Sequence, residues 1–343
     1  MGPAIRVAAC HASPVVLSAA ETTKKCIALI HEAANNSADL VVFPETYIPA
    51  FPLWSSMLPP TDNHGFFARM AAESIYADGD EIQAIRNAAK EKSICVSVGV
   101  SEKVRYSTAT LFNANFIIGA SGEILVHHRK LVPTFFEKLT WSPGDGHGLR
   151  VVDIASSCKV GALICGENTN PLARYSLMAQ GEQLHISTWP PIWPTRDPTA
   201  SGGVGANYDN VTANRTRAAA HCFEAKCFGV LCAGHLDKAA VEAVVSSCSS
   251  PELVQKVIDS SSRGASMFLD PTGAPIAGFT IAAGGKQEAD YLQAEEGILY
   301  ADLDLHKCVE GKQFHDVVGG YQRLDIFDLT VDRTRREPVT LRD

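Results

Sequence analysis

The stretch "VGALICGENTNPLARYSLMAQGEQ", Val160 to Gln183, changes character at its sixth residue. Up to Ile164 it is a short apolar run of strand type. From Asn170 it reads as a helix, with Asn170 suited to the N-cap and Pro171 to the first helical position. Leu184 to Ser187 is again strand-like. A strand, a helix and a second strand in succession build one layer pair of an α/β fold. Cys165 stands at the junction, before Gly166, Glu167 and Asn168. It is either a packed core thiol, as a lone cysteine in an apolar run commonly is, or a nucleophile. A following helix N-terminus and a nearby lysine would lower its pKa toward the thiolate. Gly166 would supply the sharp turn and open space.

Outward from this unit the alternation continues. Ile5–Cys10 and Asp39–Phe43 are strand-like and flank a helical pattern over Glu21–Ala34, with Ile27, Ile30, His31 and Ala34 near one face. A second helix is expected over Asp80–Lys92, followed by a strand over Ile94–Val100. Thr110–Ile118 and Ile124–His128 flank "GASGE", whose glycines suit a tight turn, so an antiparallel hairpin is expected. Leu149–Ile154 and Lys159–Ile164 form another strand pair. A long helix is expected over Tyr208–Cys227, then a strand over Phe228–Cys232. Gly234–Gly264 reads as less regular. Met267–Asp270 and Ala277–Ile281, joined through "PTG", read as a late hairpin, and Gly297–Leu303 as a last strand. Strands outnumber helices and several come as hairpins, which speaks against a purely parallel sheet and for a layered α/β sandwich. No repeat or linker divides the chain. A polar tail begins near Lys307.

Composition narrows the function. Of 343 residues, 46% are hydrophobic and 20% charged, which suits a globular chain and not a disordered one. The formal charge of −8, with no basic block, makes nucleic acid and anionic membranes poor partners. The apolar runs are too short to span a bilayer. The amino terminus lacks a charged leader followed by a long apolar core, so a cytoplasmic location is expected. The ten cysteines are scattered without disulfide or metal-pair spacing and should be reduced.

Two further segments carry candidate chemistry. In "VVFPETYIPAFP", Val41–Pro52, an apolar strand runs into Pro44 and Glu45. Burial at a strand end would raise the carboxyl's pKa toward that of a general base. Taken alone, a solvated loop glutamate is the plainer reading. In "HHRKLVPTFFEKLTWSPGDG", His127–Gly146, Lys130 ends a strand and Glu137 follows seven residues later. Lys130 offers fixed positive charge to a developing anion, and Glu137 a charge-assisted hydrogen bond to orient it. A solvated basic turn is the simpler alternative. Adjacent His127 and His128 would point to opposite faces of a strand and cannot readily chelate one ion. His185 and His221 stand in no recognisable cysteine–histidine pairing. Glu45, Lys130 and Cys165 each lie just after an expected strand.

Together these segments resemble the nitrilase branch of the carbon–nitrogen hydrolase superfamily, from Ile5 to about Leu329. "VVFPETYIPAFP" resembles the family's glutamate segment, "HRKLVPTFFEKLTWSPGDG" its lysine segment and "CGENTNPLARYSLMAQGEQLHIS" its cysteine segment. "DVVGGYQRLDIF" in the tail resembles nitrilases proper. The resemblance implies Cys165 as nucleophile, Glu45 as general base, Lys130 as stabiliser of the tetrahedral species and Glu137 as supporting glutamate. It implies a four-layer αββα sandwich and no metal or organic cofactor. It also implies homodimers that assemble further, often into spirals. Residues 1–306 would form the catalytic domain and 307–343 an extension at a subunit interface. Four positions depart from the pattern, one of them Ala225, which replaces a common Gly in a helix motif matched by His221 and Glu224. Gly166 replaces a common Trp and would leave room beside the nucleophile. Gly320 and Leu324 replace a common His and Pro in the tail.

The expected reaction is hydrolysis of a small-molecule nitrile to acid and ammonia through a cysteine thioimidate, with some amide by-product. Tyr47, Trp54, Thr134, Gly166, Trp189 and Trp193 are candidate substrate contacts, joined by Phe51 and Trp141. These aromatics favour an arylaliphatic nitrile. "STWPPIWPTRD", Ser187–Asp197, is the expected specificity loop. Cyanide hydratase and amidase chemistry are the enzymatic alternatives. A catalytically silent scaffold is another. A redox-sensing thiol is a further one, with Cys158 as the local resolving partner.

Overall fold

The computed structural model describes residues 4–155, 158–194, 207, 209–282, 284–336 and 338–339. The first part comprises β1 (Ala4–His11), α1 (Ala19–Asn35), β2 (Leu40–Val42), α2 (Trp54–Met57), α3 (His64–Glu73), β3 (Ile75–Tyr76), α4 (Asp80–Lys92), β4 (Cys95–Lys103), β5 (Leu111–Ile118) and β6 (Ile124–Arg129). Next come β7 (Val152–Ile154), β8 (Cys158–Ile164), α5 (Pro171–Met178), β9 (Leu184–Trp189), α6 (Asn210–Ala225), β10 (Phe228–Ala233), α7 (Lys238–Val245) and α8 (Pro251–Ser260). The last are β11 (Ser266–Leu269), β12 (Pro275–Ile276), β13 (Gly278–Ala282), β14 (Gly285–Ala289), β15 (Tyr291–Leu292), β16 (Gly297–Asp304) and α9 (Lys307–Glu310).

Side chains alternate across a strand, and here both faces of each sheet are apolar. In β1, Ile5, Val7 and Ala9 enter one core while Ala8 and Cys10 enter another. The first core lies between two sheets. It joins those β1 residues, with Leu40 and Val42, to Val160, Ala162, Ile186 and Val230 of the opposite sheet. The second packs the outer face of the first sheet under Ile30 and Ala33 of α1 and Ile82 and Ile85 of α4. The opposite sheet buries its outer face under α5, through Leu177, and α6, through Ala218 and Cys222. The layers are therefore helix, sheet, sheet, helix. Truncating a residue such as Ile186 in the middle core would cost about 2–5 kcal/mol.

One sheet has nine strands in the order β14-β13-β16-β1-β2-β4-β5-β6, with β3 beside β4. The other has seven, ordered β12-β11-β10-β9-β8-β7, with β15 beside β11. β1, β2 and β4 are parallel, as are β8, β9 and β10. β5 reverses direction and β6 reverses again. β2, β6 and β8 thus end in the segments that hold Glu45, Lys130 and Cys165. Carboxyl ends of such strands are where α/β folds place their sites.

The expected hairpin of β5 and β6 is present, as is the strand pair at β7, whose first strand is shorter than expected. Two expectations are corrected. The late hairpin closes with β12, and the chain then crosses so that β13 pairs with β14 and β16 in the other sheet. The stretch read as irregular contains α7 and α8. Asp237 accepts a bond from Ala240 N at 2.7 Å to cap α7, and Pro251 opens α8. Val254, Val257 and Ile258 are buried at helical spacing. Tyr208 and residues 195–197 of the expected specificity loop lie outside the described residues. Among the described residues, no helix is long and apolar enough to cross a membrane.

Beyond α9 the described residues run largely along the surface, with Val317, Val318 and Val331 packed against the core. Arg335 reaches Asp145 at 3.1 Å and the carbonyl of His127 at 3.0 Å. Phe314, Tyr321, Leu324, Ile326 and Phe327 are exposed.

Candidate active site

The segment after β2 carries Glu45 inward because Gly99 of β4 lets it lie close. A Cβ on Gly99 would meet Pro44 O at 2.3 Å and Thr46 N at 2.6 Å. Glu45 is 2% exposed, buried rather than solvated. Its Oε1 accepts from Asn113 Nδ2 at 2.7 Å and from Lys130 Nζ at 2.8 Å. Its Oε2 has no hydrogen-bond partner among the described residues.

Lys130 follows β6, tied by its backbone N–H to Asn113 O at 2.7 Å. Its ammonium is fully buried and donates to both oxygens of Glu137 at 2.9 and 2.7 Å. Glu137 is itself held by reciprocal capping. Thr134's side chain accepts from Glu137 N, and Glu137 Oε2 accepts from Thr134 N at 3.1 Å. Burial works against the charge on Lys130, but Glu137 and Glu45 raise its pKa well above the ordinary lysine value. Burial pushes Glu137 up to about 7, helped by Glu45 and opposed by Lys130.

Cys165 closes the site. Its Sγ and one carboxylate oxygen each from Glu45 and Glu137 lie within 4.8 Å of one another. Such atoms could also ligate a metal, but Lys130 already donates to both carboxylates and so supplies the positive charge there. A lowered thiol pKa was expected, and the structure reverses that direction. Burial raises it well above the ordinary value, Glu45 adds to the rise, and Lys130 opposes it. The sharp turn is also made by a different residue. Cys165 itself has the left-handed φ of 50°, and Thr46 and Phe135 share that conformation at 46° and 48°. Non-glycine residues rarely adopt it, and such strain concentrates at functional sites.

The space expected beside Gly166 is filled. A Cβ there would lie 2.6 Å from Thr134 Oγ1. Tyr47 is buried, with Phe43 beside its ring and Ser13 O accepting from its hydroxyl at 3.4 Å. Tyr47, Phe51 and Glu45 line a cavity of about 20 Å³. That volume suits one water and not an aryl group. Behind it, Phe51 packs edge-on to Trp141 and Trp193, and Trp193 stacks on Phe136 at 4.3 Å. Trp54 stacks on Phe66 at 4.6 Å in the same apolar cluster. Trp189 lies in the cluster that contains Cys165, with Arg217 over its ring at 4.5 Å.

The other sequence candidates fall into place around this centre. His127 and His128 do diverge. His127 bonds Glu102 at 2.8 Å, while His128 bonds Glu167 at 2.9 Å. His185 and His221 stack at 3.6 Å and share Glu182, not Cys165. Burial, with His185's charge, holds His221 down at about 4. Glu182, His221 and Cys227 also bring potential ligand atoms within 4.8 Å, yet each Glu182 oxygen already meets a histidine. Cys158 lies in the inter-sheet core, seven residues up β8 from Cys165. That is roughly 20 Å of strand, so it cannot act as a resolving thiol without unfolding β8. Sequence reasoning passed over Asn113, Glu167 and Asn168. Asn113 had a signal, since it and Asn115 are polar within the apolar strand "LFNANFII".

A family model described as "Carbon-nitrogen hydrolase" matches residues 6–313. An arylacetonitrilase of Arthroderma benhamiae is 33% identical, over 98% of this chain and 96% of that protein. An aliphatic nitrilase of Rhodococcus rhodochrous is 31% identical, over 97% of this chain and 84% of that protein. Among solved structures, Nit3 of Saccharomyces cerevisiae, described as a member of branch 10 of the nitrilase superfamily, has the same fold. Its TM-score is 0.66 at 18% identity, over 95% of this chain and 97% of that one. The chain belongs to the carbon–nitrogen hydrolase family and is a hydrolase of nitrilase type.

Proposed function

We propose that this protein hydrolyses nitriles to carboxylic acids and ammonia. Cys165 is the nucleophile, Glu45 the general base, Lys130 the stabiliser of the tetrahedral species and Glu137 the glutamate that orients Lys130. The observation that carries this reading is the approach of Cys165 Sγ to the Glu45 and Glu137 carboxylates, within 4.8 Å, around one buried ammonium.

The chemistry follows from the proton inventory. Because burial holds Cys165 as a thiol, attack needs a base at the moment of bond formation. Sγ bonds to the nitrile carbon as its proton passes to Glu45 and on to the nitrile nitrogen, which leaves a thioimidate. Water then adds, its proton taken by Glu45, and Lys130 stabilises the tetrahedral species. Ammonia departs and leaves a thioester, and a second water releases the acid. Expulsion of the thiolate from the first tetrahedral species releases amide instead.

The aromatic cluster of Phe51, Trp141 and Trp193 next to the Glu45 cavity supports an aryl or arylaliphatic substrate, with Tyr47, Thr134 and Gly166 nearest the catalytic groups. Such a substrate requires the 20 Å³ cavity to widen on binding. The exposed apolar side chains between Phe314 and Phe327 support a tail, residues 307–343, that packs against a second copy within a homodimer and larger assembly. Ten free cysteines suit a reducing compartment such as the cytoplasm.

The deciding test is ammonia release and product identity from phenylacetonitrile, benzonitrile, an aliphatic nitrile and cyanide, with Cys165→Ala alongside. Acid plus ammonia, lost in the variant, supports the proposal. Formamide from cyanide alone means a cyanide hydratase. Silence on every nitrile calls for the matching amides: their turnover means an amidase, and silence there too means a scaffold. Full turnover by Cys165→Ala sinks the assignment.

A further inference from the structure

We propose that Glu167 is the positioning residue that fixes Lys130 and Cys165 relative to one another. The proposal rests on the nitrilase reading above. Lys130 follows a strand of the nine-stranded sheet and Cys165 a strand of the seven-stranded one. The two sheets meet chiefly through apolar packing, which is not directional, and the bonds that join β10 to β1 and β2 involve neither Lys130 nor Cys165. The catalytic groups need a directional link to hold a fixed spacing.

Glu167 supplies that link. Its Oε1 accepts from Leu131 N at 2.5 Å, the residue after Lys130. Its Oε2 accepts from Ile164 N at 2.8 Å, the residue before Cys165. His128, two residues before Lys130, places Nε2 at 3.1 and 2.9 Å from the two oxygens. Both oxygens are acceptors, so Nε2 carries the proton. One carboxylate therefore grips the chain on both sides of Lys130, and with its own backbone brackets Cys165. Glu167 is 5% exposed, so water competes little for these bonds. Burial alone would raise its pKa, but His128 and the two N–H groups hold it below the ordinary value. Asn168 completes the turn. Its Nδ2 donates to Cys165 O at 3.0 Å, and its Oδ1 meets His185 Nε2 at 2.8 Å.

The test compares the wild type with Glu167→Gln and His128→Phe. Four quantities are read: kcat and KM on phenylacetonitrile, the amide-to-acid ratio, and the pH dependence of Cys165 alkylation by iodoacetamide, followed by peptide mass. Glu167→Gln should lower kcat by about 10-fold to 100-fold, the scale of a misplacement near 1 Å. KM should change less than about threefold, since Glu167 lines no substrate surface in this reading. With Lys130 displaced, departure of ammonia slows and thiolate expulsion gains, so the amide share should rise. That ratio is independent of how many molecules are folded, so a purely structural role would leave it unchanged. His128→Phe keeps both backbone bonds and should shift the ratio the same way to a smaller extent. It decides the matter if Glu167→Gln does not fold. An unchanged ratio, with any loss of kcat matched by a loss of folded protein, overturns the proposal. If the wild type turns over no nitrile, the nitrilase reading fails by itself. The alkylation profile then still judges Glu167: a profile altered in both variants supports the coupling, and an unaltered one rejects it.

Discussion

Lys130 holds one oxygen of Glu45, Oε1 at 2.8 Å, and leaves Oε2 buried without a partner among the described residues. Such an orphan acceptor is costly unless something arrives to use it. In the proposed reaction the arriving group is a proton, first from Cys165 and then from water. Glu45→Gln retains an oxygen for Lys130 and Asn113 but cannot take that proton. Ammonia release should fall by about 10²–10⁴-fold, with an unchanged circular dichroism spectrum. Turnover within a few-fold of wild type would remove Glu45 as the base.

Lys130 also has a structural task, because it separates two buried carboxylates. Lys130→Met fills much of the same volume and leaves Glu45 and Glu137 facing each other unpaired. Breaking a buried ion pair from one side costs about 3–5 kcal/mol. The loss should be larger at pH 8 than at pH 5, where one carboxyl can stay protonated. Denaturant titration at both pH values measures this. An equal loss at each pH would mean that the carboxylates do not sense one another.

Glu137 predicts a pH dependence of the opposite sense to an ordinary paired glutamate. Its native pKa is about 7 against an ordinary 4.5, so the folded chain keeps a proton that the unfolded chain has released. Its contribution to stability is therefore greatest below about pH 4.5, declines as pH rises to about 7, and is flat above. Glu137→Gln should remove that decline, so the wild type loses stability relative to the variant across the window. A thermal-melt series from pH 4.5 to 8 on both proteins measures the difference. A constant difference would place the native pKa at its ordinary value.

Much of this architecture was legible because it repeats local signals. The β5–β6 hairpin followed from a glycine turn between apolar strands. α4 runs over the expected Asp80–Lys92, and α5 followed from Asn170, whose side chain accepts from Leu172 N and Ala173 N. Glu45, Lys130 and Cys165 stood just after strands, and the resemblance joined them and added Glu137, which lies in the turn Phe135–Leu139. What was not legible depended on partners far along the chain. The thiol pKa of Cys165 was misjudged because helix and lysine were weighed without the burial of the thiol, and without Glu45, 120 residues away. Glu167 was given no role because two of its donors, His128 and Leu131, come from β6 of the other sheet and the segment after it. The crossing of β13 was hidden because a two-residue strand, β12, satisfies the turn first. α7 and α8 did carry local signals, in Asp237 and Pro251, that were passed over.

Gly166 and Thr134 form a pair whose coupling can be measured. A methyl at position 166 would lie 2.6 Å from Thr134 Oγ1, closer than Cβ contacts normally come. Thr134 cannot simply rotate away, because its side chain caps Glu137 N. Displacing it shifts Glu137 and, through Glu137, Lys130. Gly166→Ala alone should therefore cost about 1–3 kcal/mol by overpacking and lower kcat as well. Thr134→Ala alone should cost about 1 kcal/mol, the worth of a cap. In the double variant the close oxygen is gone, and the next Thr134 atom lies at an ordinary 3.8 Å. The double variant should thus lose only about what the cap was worth, a coupling of about 1–3 kcal/mol between the two sites. Thr134→Ser is the control, since it keeps the oxygen and should relieve nothing. Chemical denaturation of the five proteins, wild type included, closes the cycle. Additive losses would mean that Gly166 is not held small by Thr134, and the reason for its size would then lie with the substrate.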